Sequence, residues 1–151
     1  MNTKTDLHRG FRTVHLSLCV LLLTFVTWGL ISPDPYLAVR NTPLASLRVV
    51  SDIVLHCGAY GLLSLTCCLL TRHQGSGLLR SGTVAFLLVH GFCSELIQSQ
   101  IATRTCDPLD GLANIVGIAT GALLAARISS AFSTRQLNAP EPASLHLSGS
   151  R

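Results

Sequence analysis

The sequence predicts an all-α integral membrane domain, a bundle of four transmembrane helices with both termini cytoplasmic. Only 12% of the 151 residues are charged and 48% are hydrophobic, with a mean hydropathy of +0.49. A soluble domain carries about a quarter charged residues. Four apolar runs reach the roughly 17–25 residues that a spanning helix needs. Three of the seven acidic residues, Glu95, Asp107 and Asp110, fall in the single stretch from Ser94 to Gly121. A charge inside hydrocarbon costs roughly 2.5–3.5 kcal/mol on insertion scales unless it is paired or wet, so such a cluster needs a partner or a function.

Residues 1–12 form a polar, basic tail with Lys4, Arg9 and Arg12. The first span covers Thr13 to Ile31, and Trp28 near its end suits the interfacial aromatic belt. The basic start resembles a secretory signal, but the run is long for one and no small-residue cleavage site follows, which favours a retained anchor. Ser32 to Ser51 is a polar connector, and its Ser-Pro-Asp-Pro opening cannot continue a helix. Thr42-Pro43 reads as an N-cap followed by proline at the first helical position, which predicts a short helix on the membrane surface.

The second span runs from Asp52 to Leu70 and the third from Gly82 to Gln98, with a connector holding Arg72 and Arg80 between them. Ser99 to Leu109 is a second polar connector, and Asp110 to Ile128 is the fourth span. The membrane domain is thus 13–128. The tail 129–151, rich in Ser, Pro and Ala, is expected to be disordered. With the N-terminus inside, Lys4, Arg9, Arg12, Arg72, Arg80, Arg127 and Arg135 lie in the cytoplasm, against Arg40, Arg48 and Arg104 outside. The positive-inside rule favours that orientation. The acidic cluster then faces outward.

Helical spacing assembles a polar site. Asp52, His56 and Tyr60 are four apart and drift only about 40° per step around the second span. Glu95 and Gln98 share a face with Gly91 on the third, and Asp110 and Asn114 share one on the fourth. Polar stripes in a membrane are best buried against each other. The candidate ligand-binding set is therefore Asp52, His56, Tyr60, Glu95, Gln98, Arg104, Asp107, Asp110 and Asn114. Structural glue accounts for the same residues: Arg104 neutralises a carboxylate, Asp110 caps the fourth helix, and Asn114, Gln98 and Tyr60 bond between helices. Ala113, Gly117, Gly121 and Ala125 repeat small residues every four positions, a helix-packing face directed inside the monomer. His90 has no evident partner.

Several function classes lack a signal. The basic residues are scattered, so nucleic acid is not an expected partner. Cys67 and Cys68 are adjacent without C-x-x-C spacing, and the other cysteines do not form a disulfide framework; Cys57 and Cys106 near one face read as two thiols more readily than as a bridge. A zinc site from His56, Glu95 and Asp110 lacks the H-E-x-x-H spacing, and no metal or cofactor is expected. No nucleophile elbow or phosphate loop is present. A membrane hydrolase or transferase is the competing function, with His56 as base, Asp52 orienting it and Glu95 as acid.

Asp52-x-x-x-His56-x-x-x-Tyr60, Glu95-x-x-Gln98, Arg104, Asp110 and Asn114-x-x-Gly117-x-x-x-Gly121 together resemble the VanZ-like family of small membrane proteins, over residues 51–121. Ile53 departs from the pattern, because many members carry a lysine after the aspartate. The family's namesake is associated with low-level resistance to the glycopeptide teicoplanin. The resemblance implies a bacterial envelope protein of the cytoplasmic membrane. Joined to the outward polar cluster, it implies binding of a cell-wall precursor or lipid headgroup.

Overall fold

The computed structural model describes residues 3–72, 77–103 and 107–137. They form α1 (Thr3–Ile31), α2 (Pro35–Val39), a 3₁₀ helix (Pro43–Val49), α3 (Asp52–Arg72), α4 (Gly77–Gln98) and α5 (Pro108–Leu137), with no strand among the described residues. Four of the helices carry a stretch long and apolar enough to cross a bilayer: Gly10–Ile31, Asp52–Thr71, Gly77–Gln98 and Pro108–Phe132. The fold is that of a multi-pass helical membrane protein.

The boundaries differ from the sequence reading in several places. Helix α4 begins at Gly77 rather than Gly82 and α3 runs on to Arg72 rather than Leu70, so both ends of the expected connector are helical. Four further differences have a local reason. Helix α1 starts at Thr3, so most of the basic tail is helical. Helix α5 continues to Leu137; Ser129 to Leu137 contain no glycine or proline to stop it, so the segment expected to be disordered begins as helix. Residues 138–151 of that tail lie outside the described residues. Asp34 accepts a hydrogen bond from the Tyr36 amide at 3.0 Å, so the Ser-Pro-Asp-Pro sequence that ends α1 also starts α2. Thr42 does cap the next element, accepting from the Leu44 amide at 3.3 Å, but that element is 3₁₀ rather than α.

The packing is inverted relative to a soluble protein. Long apolar side chains such as Leu21, Phe25, Val89, Phe92, Ile115 and Leu123 are exposed on the outer faces, as bilayer contact requires. The interior buries His56, Ser64, Ser94, Glu95, Gln98, Asp110 and Asn114 alongside Tyr60, Leu63, Leu87 and Ile118. Helix α3 is central and packs on α1, α4 and α5, while α1 packs on α3 and α4.

The tightest pairing is α3 with α5, and glycine makes it so. A Cβ at Gly117 would land on the Cys57 carbonyl oxygen, and one at Gly121 on the Gly61 carbonyl oxygen. The second would also come within 2.8 Å of the Leu65 amide nitrogen. Backbone therefore meets backbone, the geometry that small residues permit between membrane helices. Ser64 completes the seam by donating to the Ile118 carbonyl at 2.8 Å. Gly121→Ala must push the two helices apart and should lower stability by about 1–3 kcal/mol, the usual cost of overpacking. Gly82→Ala, where a Cβ meets nothing within 4 Å, is the control. Unfolding in mixed detergent micelles checks this; equal stabilities for the two variants would contradict the backbone contact.

Candidate functional site

The α3–α5 seam decides which side chains meet. His56 lies one turn into α3 and Asn114 one turn before Gly117 on α5, so the close approach brings them together. His56 Nδ1 and Asn114 Oδ1 are 3.0 Å apart, and Asn114 Nδ2 donates to Glu95 Oε1 at 3.1 Å. A carboxylate only accepts, so with Glu95 ionised the amide turns its NH₂ to Glu95 and its oxygen to His56. That orientation puts the hydrogen of His56 on Nδ1. The same ring nitrogen lies 3.5 Å from Glu95 Oε1, an ion pair when the imidazole is protonated. All three side chains are at least nine-tenths buried, at 5% (His56), 2% (Asn114) and 7% (Glu95) exposure. Glu95 Oε2 is buried and has no hydrogen-bond partner among the described residues. The charges of Asp110 and Asp107, in and just before the first turn of α5, reach Glu95 as well.

A second polar chain lies deeper. Thr27 on α1 donates to the Leu23 carbonyl at 2.7 Å, so its oxygen is left to accept from His90 Nε2 at 2.9 Å. His90 Nδ1 then accepts from the Tyr60 hydroxyl at 2.9 Å. Ser94, 3.1 Å from the same hydroxyl, donates to the Gly91 carbonyl at 2.8 Å. Three helices are tied through one imidazole and three hydroxyls. Gln98 serves a different end: its NH₂ donates to the Leu30 carbonyl at 2.8 Å, one of the carbonyls that the end of α1 leaves without an intrahelical partner.

The sequence-selected residues therefore separate into groups. His56, Glu95 and Asn114 form one chain, and Tyr60 joins the other. Gln98 turns to α1 rather than to Asn114. Asp52 is exposed at the first position of α3 and makes no hydrogen bond to His56, whose Nδ1 is held by Asn114 instead. The α5 cap is Asp107, accepting from the Leu109 amide at 2.9 Å with Pro108 in the first helical position; Asp110 is buried within the first turn. Arg104 and Cys106 lie outside the described residues, and Cys57 is a free thiol. Gly117 and Gly121 meet α3, and Ala113 and Ala125 are buried on the same helix. Among the described residues no three His, Cys, Asp or Glu side chains are grouped to hold a metal ion.

Thr27, His90 and Ser94 lie outside the site that the sequence spacing marks. Ser94 and His90 are four apart on α4, a spacing that marks a common face, but Thr27, three residues after Thr24 in a leucine-rich run, is matched at that spacing only by another threonine that bonds its own helix.

Two cavities flank the upper chain. One of about 330 Å³ lies among α1, α2, the 3₁₀ helix and α3, lined by Phe25, Trp28, Tyr36, Leu44 and other apolar groups, with Asp52 and His56 on its wall. The other, about 360 Å³, lies between α4 and α5 and is lined by Glu95 and Asn114 among apolar residues. Comparison with protein-family models, with curated proteins and with solved structures finds no match to this chain.

Asn114→Leu removes the hydrogen-bond partner of both His56 Nδ1 and Glu95 Oε1 and leaves them only the 3.5 Å approach to each other. It should destabilise the bundle by about 1–3 kcal/mol, the cost of orphaned buried polar groups. Adding Glu95→Met removes one orphan, so the double variant should lose less than the sum of the two single losses. Strict additivity in a detergent-unfolding cycle would show that Asn114 and Glu95 do not interact.

Proposed function

We propose that this chain is a VanZ-like protein of the bacterial cytoplasmic membrane that binds an amphiphile of the cell envelope, a lipid headgroup or lipid-linked cell-wall precursor, at its outer face. The observation that carries this reading is the cavity of about 330 Å³ whose lining side chains are apolar except for Asp52, His56 and the polar edges of Trp28 and Tyr36. Ligand sites combine a mainly apolar lining with a few placed polar groups. An apolar tail fits among Phe25, Val26, Leu44 and Leu47, and a polar head fits at Asp52 and the free edge of His56. The resemblance over residues 51–121 supplies the envelope setting, and with it an effect on glycopeptide sensitivity. Both termini lie in the cytoplasm, following the distribution of Lys and Arg; a carboxy-terminal reporter active only outside the cytoplasm should stay silent, and its activity would reverse the orientation.

A second reading has one observation in its favour. His56 Nδ1 and Glu95 Oε1 stand 3.5 Å apart, a proton-sharing pair of the kind that acid–base chemistry uses. Catalysis of this type contributes about 10²–10⁴-fold, so His56→Gln should abolish an enzymatic function. A binding protein should keep that function within about tenfold, a loss on the scale of one hydrogen bond. The native protein should carry a co-purifying amphiphile detectable by native mass spectrometry, and Gly58→Leu, whose side chain would project from the cavity wall, should strip it. Unchanged retention in the Gly58→Leu protein would contradict the proposed site, and a 10²-fold or greater loss in normally accumulating His56→Gln would favour the enzyme.

A further inference from the structure

The polar groups on the wall of the α1–α3 cavity restrict what kind of head can sit there. His56 lines the cavity from a side chain only 5% exposed, with Nδ1 turned to Asn114 Oδ1 at 3.0 Å on the α5 side. Asn114 gives its NH₂ to Glu95, so the hydrogen between ring and amide belongs to His56 Nδ1. A neutral imidazole with its hydrogen on Nδ1 carries a lone pair on Nε2, the ring's remaining polar edge. Asp52, one turn earlier, is exposed and lines the same cavity. Both groups accept and neither donates. Trp28 and Tyr36 on the same wall carry N–H and O–H groups. A hydroxyl can meet either kind of partner, whereas an ammonium only donates and an ionised phosphate only accepts.

The charge at the mouth is balanced. The connector over the cavity, 32–52, holds Asp34, Arg40, Arg48 and Asp52, all exposed, and its Tyr36, Val39, Leu44 and Leu47 line the cavity. Two acidic and two basic groups leave this segment without net charge, so it steers neither a cation nor an anion. Selection of the head then falls to hydrogen bonds. Residues four apart on a helix set their Cβ atoms about 5–6 Å apart, so hydroxyls on neighbouring carbons can address both Asp52 and His56. The volume of about 330 Å³ is at the small end of ligand pockets, which run from about 300 to 1,000 Å³, and suits one alkyl chain.

We propose that the α1–α3 cavity takes a single-chain amphiphile whose uncharged head donates from neighbouring hydroxyls to His56 Nε2 and the Asp52 carboxylate. This rests on the amphiphile-binding reading above and specifies the head, a polyol rather than a phosphate or an ammonium group.

The test uses the full chain in lipid vesicles and reads the fluorescence of Trp28, the chain's one tryptophan and part of the cavity wall. Probes with a 12-bromododecyl chain quench it on contact, and affinity is taken per mole fraction of probe in the bilayer. The glycerol ether or the glucoside should quench saturably, the tighter of the two naming a glycerolipid or a glycolipid source. The glycerol ether with both hydroxyls methylated keeps its oxygens but donates nothing, and should bind at least tenfold more weakly. Bromododecyl phosphate and bromododecylamine should be weaker by a similar factor. Asp52→Ala, at an exposed position, should weaken the glycerol ether about tenfold and leave its methylated form unchanged. Gly58→Leu, where a Cβ meets nothing within 4 Å, should remove the saturable phase for every probe and so locates it in the cavity. Equal binding of the hydroxylated and methylated probes, tighter binding of the phosphate or the amine, or an Asp52→Ala effect shared by both ethers would overturn this proposal and leave the cavity reading standing. No saturable phase, or one that Gly58→Leu leaves in place, would overturn both.

Discussion

Everything at the polar end of this bundle depends on how closely α5 approaches α3. Cys57 and Gly61 present their carbonyl oxygens where Gly117 and Gly121 have no side chain. In hydrocarbon there is no hydrophobic drive between helices, so association rests on packing and polar contacts. The glycine seam provides the packing, and Ser64 on Ile118 provides a polar contact across it. Because α3 and α5 touch at backbone level, Asn114 reaches His56 directly. A wider seam would separate them, and Glu95 would lose its link to α3.

The chain of three side chains then acts as a partition. His56 contributes to the wall of one cavity and Glu95 to the wall of another, while Asn114 lies between, donating to one neighbour and accepting from the other. An asparagine suits that place because it is neutral and carries both a donor and an acceptor. The lower chain through Tyr60, His90 and Thr27 fastens α1 to this assembly, and Gln98 closes the end of α1. Rigidity here is what the proposed binding role would require. A site on packed helices holds its polar groups in place for a ligand without reordering them.

Much of this is legible in the sequence. The four spans follow from apolar length alone, and the four-residue spacings marked His56, Tyr60 and Asn114 as inward-facing. Partner choice was not legible. Asp52 precedes His56 by one turn and looks like its natural orienter, yet the first position of a helix sits at the rim, and Asn114 from another helix takes the bond. Gln98 and Asn114 both read as side chains that bond between helices, but the spacing does not say to which: Asn114 bonds His56 and Glu95, and Gln98 bonds the end of α1. Thr27 and His90 pair across helices far apart in sequence, and no local period reports such a pair. The α5 boundary was missed for a simpler reason: the composition of residues 129–151 is dominated by its later prolines, while its first nine residues contain nothing that ends a helix.

The central claim is that Asn114, not Asp52, holds His56 with its hydrogen on Nδ1. Imidazole ¹⁵N spectra of histidine-labelled protein in bicelles test it most directly. The account predicts a protonated, hydrogen-bonded Nδ1 for His56 that changes in Asn114→Leu and is unmoved in Asp52→Asn. A spectrum that shifts with Asp52→Asn and ignores Asn114→Leu would contradict it.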